Sequence, residues 1–135
     1  MADRQIMVSG KRKTAVAKAR VRTGKGNIVY NGIPYTELRI FHKLSLMEPV
    51  EICRKIIGHF NFDIEVKATG GGTEGQIQAA RLAIAKGLVK FTESQDLRKA
   101  IIDYDRNMLV ADVRRKETRK PGDSKARAMR QTSYR

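Results

Sequence analysis

The chain has 135 residues and carries 28 Lys/Arg against 14 Asp/Glu, a formal net charge of +14 at pH 7. That length suits one domain, and that charge points to a polyanionic partner, nucleic acid before any other. The single cysteine, Cys53, excludes an internal disulfide and a multi-cysteine zinc site.

From the N-terminus, Gln5 to Ser9 reads as a short first strand, interrupted by the charged Gly10-Lys11-Arg12-Lys13. Thr14 to Arg22 alternates cleanly. Ala15, Ala17, Ala19 and Val21 point one way, and Val16, Lys18, Arg20 and Arg22 the other. Period two predicts a strand with a thin apolar face and a basic outer face. Thr23-Gly24-Lys25-Gly26-Asn27 is turn chemistry, and Ile28-Val29-Tyr30 makes a third short strand ended by Asn31-Gly32. After an irregular stretch with Pro34, a helix is expected to begin near Pro49, which suits a first helical position. Val50, Cys53, Ile57 and Phe60 follow at helical spacing, and Asn61 to Ala68 alternates again, with Phe62, Ile64, Val66 and Ala68 inward. Gly70-Gly71-Gly72 opens a second helix, where Thr73 and Gln76 form a capping-box pattern and Ile77, Ala80, Ile84, Leu88 and Phe91 a buried stripe. Ser94 can cap a third helix with Leu97, Ile101 and Tyr104 inward, and Met108-Leu109-Val110 can anchor the exit. The order β-β-β-α-β-α-α is an α+β plan with helices packed on a sheet.

The last 22 residues, Arg114 to Arg135, hold nine Lys/Arg and two acids, and have no Leu, Ile, Val, Phe or Trp. Ordering costs about 1–2 kcal/mol per residue in chain entropy, and such a segment buries too little apolar surface to offset it. The expected organisation is therefore a globular domain over 1–113 and an extended basic tail over 114–135. Met129 and Tyr134 are the tail's only large apolar residues, too few for a membrane-surface helix. The N-terminal MADRQIMVSGKRK lacks a signal-peptide core and no stretch of 18 apolar residues exists, so an intracellular, reducing location is expected.

Two constellations carry chemistry. Lys18, Arg20 and Arg22 at i, i+2 and i+4 place cations roughly 6–7 Å apart on one strand face, similar to phosphate spacing along a nucleic-acid strand. Lys11, Arg12, Lys13 and Lys25 flank them, and no acid occurs between Arg4 and Ile33. The plain alternative is a solvated strand face, although such faces usually mix signs. Gly70, Gly71 and Gly72 before a helix start offer backbone N–H groups and a positive dipole end to a phosphate, or simply make a tight turn. No Gly-Lys-Ser/Thr closes a Walker loop, so no nucleotide cofactor is expected. Asp103, Asp105, Asp112 and Glu117 read as partners of the neighbouring arginines rather than as metal ligands, and His42, Cys53 and His59 have no catalytic or zinc spacing.

Gly10-Lys11-Arg12-Lys13-Thr14-Ala15-Val16-Ala17, the Gly70-Gly71-Gly72 loop with Gln76 and its Ala/Ile helix, and Lys125-Ala126-Arg127, Gln131 and Ser133-Tyr134-Arg135 together resemble the small-subunit ribosomal protein nine family. The resemblance spans the chain in order. The Tyr134-Arg135 ending and the Asp105-Arg106 to Arg114-Arg115 stretch look like the archaeal and eukaryotic branch, and the length leans archaeal. It implies a four-stranded sheet backed by helices, the fold of the second domain of small-subunit ribosomal protein five, with a left-handed βαβ crossover against the usual rule. It implies a non-enzymatic cytoplasmic ribosomal protein without cofactor, metal or small-molecule substrate, placed in the subunit head beside other ribosomal proteins. Lys11, Arg12, Lys13, Lys18, Arg20, Arg22, Lys25, Gly70, Gly71, Gly72, Arg114, Arg115, Lys116, Arg119, Lys120, Lys125 and Arg127 would then meet rRNA. Arg130, Gln131, Ser133, Tyr134 and Arg135 would lie near the tRNA in the peptidyl site. Met129 departs from the family pattern, which often has a basic or aromatic residue there. The competing readings are a basic RNA-processing ribonucleoprotein subunit on a related fold and, behind it, a metal-dependent nuclease.

Overall fold

The structure is a computed structural model in which residues 4–119, Pro121 and Ala126 are described. The alternating segments become strands and the periodic ones helices. β1 (Gln5–Arg12) and β2 (Ala15–Thr23) form a hairpin closed by Lys13 and Thr14. β3 (Ile28–Tyr30) and β4 (Ile33–Pro34) form a second, and β5 (Phe62–Thr69) lies between the two hairpins. The sheet order is β1-β2-β5-β3-β4, with only the β3–β5 pairing parallel. Three helices join these strands: α1 (Ile40–Ile57), α2 (Thr73–Thr92) and α3 (Gln95–Tyr104).

The sheet thus has five strands where four were expected. Asn31 and Gly32 both adopt positive φ, 51° and 80°, and fold the chain straight back so that Ile33 pairs with Tyr30 and Pro34 with Val29. Proline lacks a ladder donor, which an edge strand tolerates, so Pro34 hides the strand in the sequence without preventing it.

α2 packs across the inner face of β1 and β2. That face is thin because the contact is close. A Cβ at Gly10 would stand 2.4 Å from the Ala79 carbonyl oxygen, and one at Gly87 would stand 2.7 Å from Val21 Cγ2. Ala15, Ala17 and Ala19 from β2 and Ala79, Ala80 and Ala83 from α2 are buried at this crossing. Gly10 therefore sits inside β1, which runs on to Arg12 instead of stopping at Ser9. Phe62, Ile64, Val66 and Ala68 from β5 and Ile77, Ile84, Leu88 and Phe91 from α2 complete the core.

α1 begins at Ile40, two and a half turns before the expected start, and Pro49 lies buried inside it. The first turns are apolar on both sides, so they show no single stripe to read. Gly58 ends the helix in the left-handed conformation, φ 89°, donating its N–H to the Arg54 carbonyl. At α2 the cap is Gly72, not Thr73, and no side chain caps the helix. Gln76 reaches back instead to the Gly70 carbonyl, Nε2 to oxygen 3.0 Å. Ser94 caps α3, its Oγ accepting from the Leu97 N–H at 3.3 Å. Leu97 and Ile101 are buried as expected, each contributing about 1.5–3 kcal/mol by burial, but Tyr104 faces solvent. Its position one turn beyond Ile101 lies at the helix end, past the reach of the core. Met108, fully buried, pins the chain before it leaves the body, and no helix or strand occurs from Ala111 to Arg119.

Candidate nucleic-acid interface

Among the described residues no helix covers the outer face of β2 and β5. Lys18, Arg20 and Arg22 all stand exposed there. Their cross-strand neighbours on β5 decide what the row can do. Lys18 is opposite Lys67, Arg20 opposite Glu65, and Arg22 opposite Asp63. The last two are loose ion pairs, with Arg20 Nη1 to Glu65 Oε2 and Arg22 Nε to Asp63 Oδ2 both at 3.9 Å. Exposed pairs of this kind contribute about 0–1 kcal/mol, so a phosphate can compete for both arginines, at a discount. The row is therefore not evenly positive. Its unopposed end is Lys18 with Lys67, beside Lys11. Lys67 was passed over in the sequence because nothing local places it against Lys18.

Asp63 has a second task. Its Oδ1 accepts the backbone N–H groups of Lys25, Gly26 and Asn27 at 3.0, 3.2 and 3.1 Å. These bonds, that from Asn27 foremost, hold its pKa below the ordinary carboxylate value against the opposing effect of burial. Lys25 is thereby presented on a fixed loop.

The glycine loop packs on the β1–β2 turn. Gly70 and Gly71 have φ of 76° and 61°, and Cβ atoms there would come within 2.6 Å of the Thr14 carbonyl oxygen and 3.1 Å of the Ala15 nitrogen. Close approach and left-handed geometry account for these two without a ligand. Gly72 differs, because no atom lies within 4 Å of its virtual Cβ. It opens to solvent at the uncapped start of α2, where free N–H groups remain for an anion.

Where the chain leaves the body, Asp112 binds two arginines. It pairs with Arg12 of β1, and with Arg114 through Nε to Oδ2 at 2.8 Å and Nη2 to Oδ2 at 2.6 Å. The Arg114 side-chain and backbone bonds, with the charges of Arg114 and Arg12, hold the Asp112 carboxyl well below the usual range. Arg12 is thus engaged inside the protein and only partly exposed, while Lys11 and Lys13 beside it are open. Arg114, Arg115 and Lys116 then line one concavity together with Lys13 and Thr14, and an adjoining one is lined by Lys13, Thr14, Gly71 and Gly72. Segments read separately in the sequence therefore meet at one end of the molecule: the β1–β2 turn, the glycine loop and the first residues beyond the body. Arg119 is exposed in the described chain, whereas Lys120, Lys125, Arg127, Arg130, Gln131, Ser133, Tyr134 and Arg135 lie outside the described residues.

The carboxylates behave as ion-pair partners and caps. Asp105 accepts from both Arg81 Nη atoms at 3.3 Å and from the Asn107 N–H at 2.9 Å. His42 Nε2 lies 2.8 Å from Glu74 Oε1, and burial pushes the Cys53 thiol up to about 11, far from a reactive thiolate. Among the described residues no His/Cys/Asp/Glu group could hold a metal ion, and no helix is long and apolar enough to cross a membrane.

An α+β body whose β1–β2 turn, glycine loop and exit segment bring Lys13 and Arg114 to Lys116 together has the character of a polyanion-binding protein. The ribosomal protein S9/S16 family model matches residues 10–135. The small ribosomal subunit protein uS9 of Thermoplasma volcanium is 46% identical over 133 residues, covering 96% of this chain and 98% of that one. The proteins of the same name from Methanococcus vannielii and Methanothrix thermoacetophila are 43% and 41% identical, covering 93% and 94% of this chain and 95% and 96% of theirs. The chain belongs to the ribosomal protein S9/S16 family, in its archaeal form, and is a non-enzymatic protein of the cytoplasmic ribosome.

Proposed function

We propose that this chain is a structural constituent of the small ribosomal subunit that binds rRNA in the subunit head through its basic end and extends residues 114–135 to the tRNA in the peptidyl site. The observation that carries this reading is the convergence of Lys13, Thr14, the Gly72 opening and Arg114 to Lys116 at the point where the chain leaves the body. A phosphate backbone lying there would meet Lys11, Lys13, Lys18 and Lys67 from the sheet and Arg115, Lys116 and Arg119 from the departing chain. Phosphate neutralisation would supply affinity, and shape would supply register. Residues 1–113 would act as the anchored body. The tail, 22 residues at ~3.3–3.6 Å each, could reach up to ~70–80 Å from it. Lys120, Lys125 and Arg127 would continue the rRNA contact and Arg130 to Arg135 would approach the tRNA, with no small-molecule substrate involved. Under the same reading the fold is that of the second domain of small-subunit ribosomal protein five, with β3–α1–β5 as the left-handed crossover. Incorporation of tagged full-length protein into small subunits, followed by co-sedimentation at rising salt, tests the reading. Stable association with small subunits is expected; association with a separate processing ribonucleoprotein instead would overturn it.

A further inference from the structure

The outer face of α1 has another character, although its Ser45 and Glu48 border the concavity that holds Lys11, Arg12 and Arg114. The first two turns of α1, Ile40 to Met47, contain one charged residue, Lys43, and its Nζ is drawn 5.8 Å from the Tyr35 ring centroid. His42 and Leu46 face the core. On the outer side Ile40, Phe41 and Leu44 are 68%, 78% and 56% exposed, with Met47 following at helical spacing. Apolar side chains on both the inner and the outer side mark a helix segment that gains from cover on both. Tyr104 of α3, 59% exposed, closes a groove lined by Leu44, Met47 and Ile52, with Glu48, Glu51 and Lys55 at its rim.

Charge decides the occupant. Glu48 pairs with Arg81 and Glu51 with Arg54 at 2.7 Å, so both rim carboxylates are already partnered beside Lys55. An RNA backbone would meet an apolar floor of Leu44, Met47 and Ile52 here, with two carboxylates beside the Lys55 amine. A second copy would bring another +14 against this chain's own. Residues 114–135 offer only Met129 and Tyr134 as large apolar side chains, set among nine Lys/Arg, too few and too charged to fill an aliphatic groove.

We infer that the α1/α3 face is a docking surface for a different protein of the same particle, one that presents a segment of low charge with aliphatic or aromatic side chains seated between Leu44, Met47, Ile52 and Tyr104. The inference rests on the ribosomal reading and adds the surface and the chemistry of its partner. It also explains why a strongly basic protein keeps an apolar patch of this kind in the open.

The test places a benzophenone side chain at position 44, or at position 18 as the control, in the full-length chain assembled into small subunits. From position 44 the expected adduct survives ribonuclease, disappears with protease and contains a peptide of another subunit protein. From position 18 the expected adduct is ribonuclease-sensitive. Leu44→Glu, at an exposed position, should compete with wild type for incorporation at least about tenfold less well, the scale of one lost anchor, with the RNA affinity of the free protein unchanged. An RNA adduct from position 44, no adduct, or one to the chain's own tail or a second copy would overturn this inference alone. Failure of the chain to enter small subunits would overturn it together with the ribosomal reading.

Discussion

Asp112 is bound to Arg12, a residue one hundred positions earlier in the chain. The pair ties the departing segment to β1 of the hairpin whose turn carries Lys13. Together with Arg114 it sets the direction in which the basic segment starts. Asp112→Ala should loosen this exit without unfolding the body, because Met108 still anchors the chain. Faster amide exchange is expected at 110–116, with unchanged protection in β2, β5 and α2. Global loss of protection would show that Asp112 holds the fold itself.

Acid should weaken the protein through two carboxylates. Asp63 and Asp112 both titrate below the ordinary value when folded. Their contribution is complete above the unfolded pKa, about 3.9, and is lost as pH falls through the depressed folded values. Asp63→Asn and Asp112→Asn should each lower the melting temperature at pH 7, and the gap from wild type should narrow progressively as pH falls below the unfolded pKa. Asp63→Ala should cost about 1 kcal/mol, because it removes an acceptor shared by three backbone N–H groups, two of them open to water. Parallel wild-type and variant curves down to pH 2 would show that neither ionisation matters.

The sheet register grades the basic row. If binding neutralises phosphates, Lys18→Gln should lower the salt slope on single-stranded RNA by about 0.7, one full contact. Arg20→Gln and Arg22→Gln should each lower it by less, since Glu65 and Asp63 already hold part of their charge. Equal effects at all three positions would mean that the β5 acids turn away from these arginines in the complex.

The glycines separate packing from contact. Gly10→Ala should destabilise by about 1–3 kcal/mol, because its Cβ meets α2 backbone at 2.4 Å. Gly72→Ala meets nothing within 4 Å and should cost about 0.5–1 kcal/mol, since Ala is a poorer N-cap than Gly. Weaker RNA binding by the stable Gly72→Ala protein would assign its backbone to a phosphate, whereas unchanged binding would leave the loop as a turn.

These contrasts mark what was legible in the sequence. Ala15 to Val21 and Phe62 to Ala68 announced their strands because alternation is a local property, and the α2 stripe and the Ser94 cap were local too. β4 was hidden by Pro34, and the start of α1 by residues apolar on both sides. Tyr104 fitted the α3 spacing but lies where the helix outruns the core. The larger misreading was electrostatic. No acid interrupts the sequence between Arg4 and Ile33, yet β5 brings Glu65 and Asp63 across from Arg20 and Arg22. Register between strands some forty residues apart cannot be read from either strand alone, nor can the hundred-residue link from Arg12 to Asp112.

Deletions should divide the tail. Removing Gln131 to Arg135 keeps the Arg114 to Lys120 block, so incorporation should be near normal while tRNA affinity in the peptidyl site falls by about 1–2 kcal/mol, the worth of one charge-assisted contact. Removing 114–135 should impair assembly as well. A short deletion that blocks assembly would merge the two roles.

The most direct measurement is crosslinking from Tyr134 in assembled small subunits carrying tRNA in the peptidyl site. An adduct to that tRNA, absent from subunits without it, is the expected result. An adduct to rRNA alone, or none, would contradict a tail that reaches from an rRNA-anchored body to the tRNA.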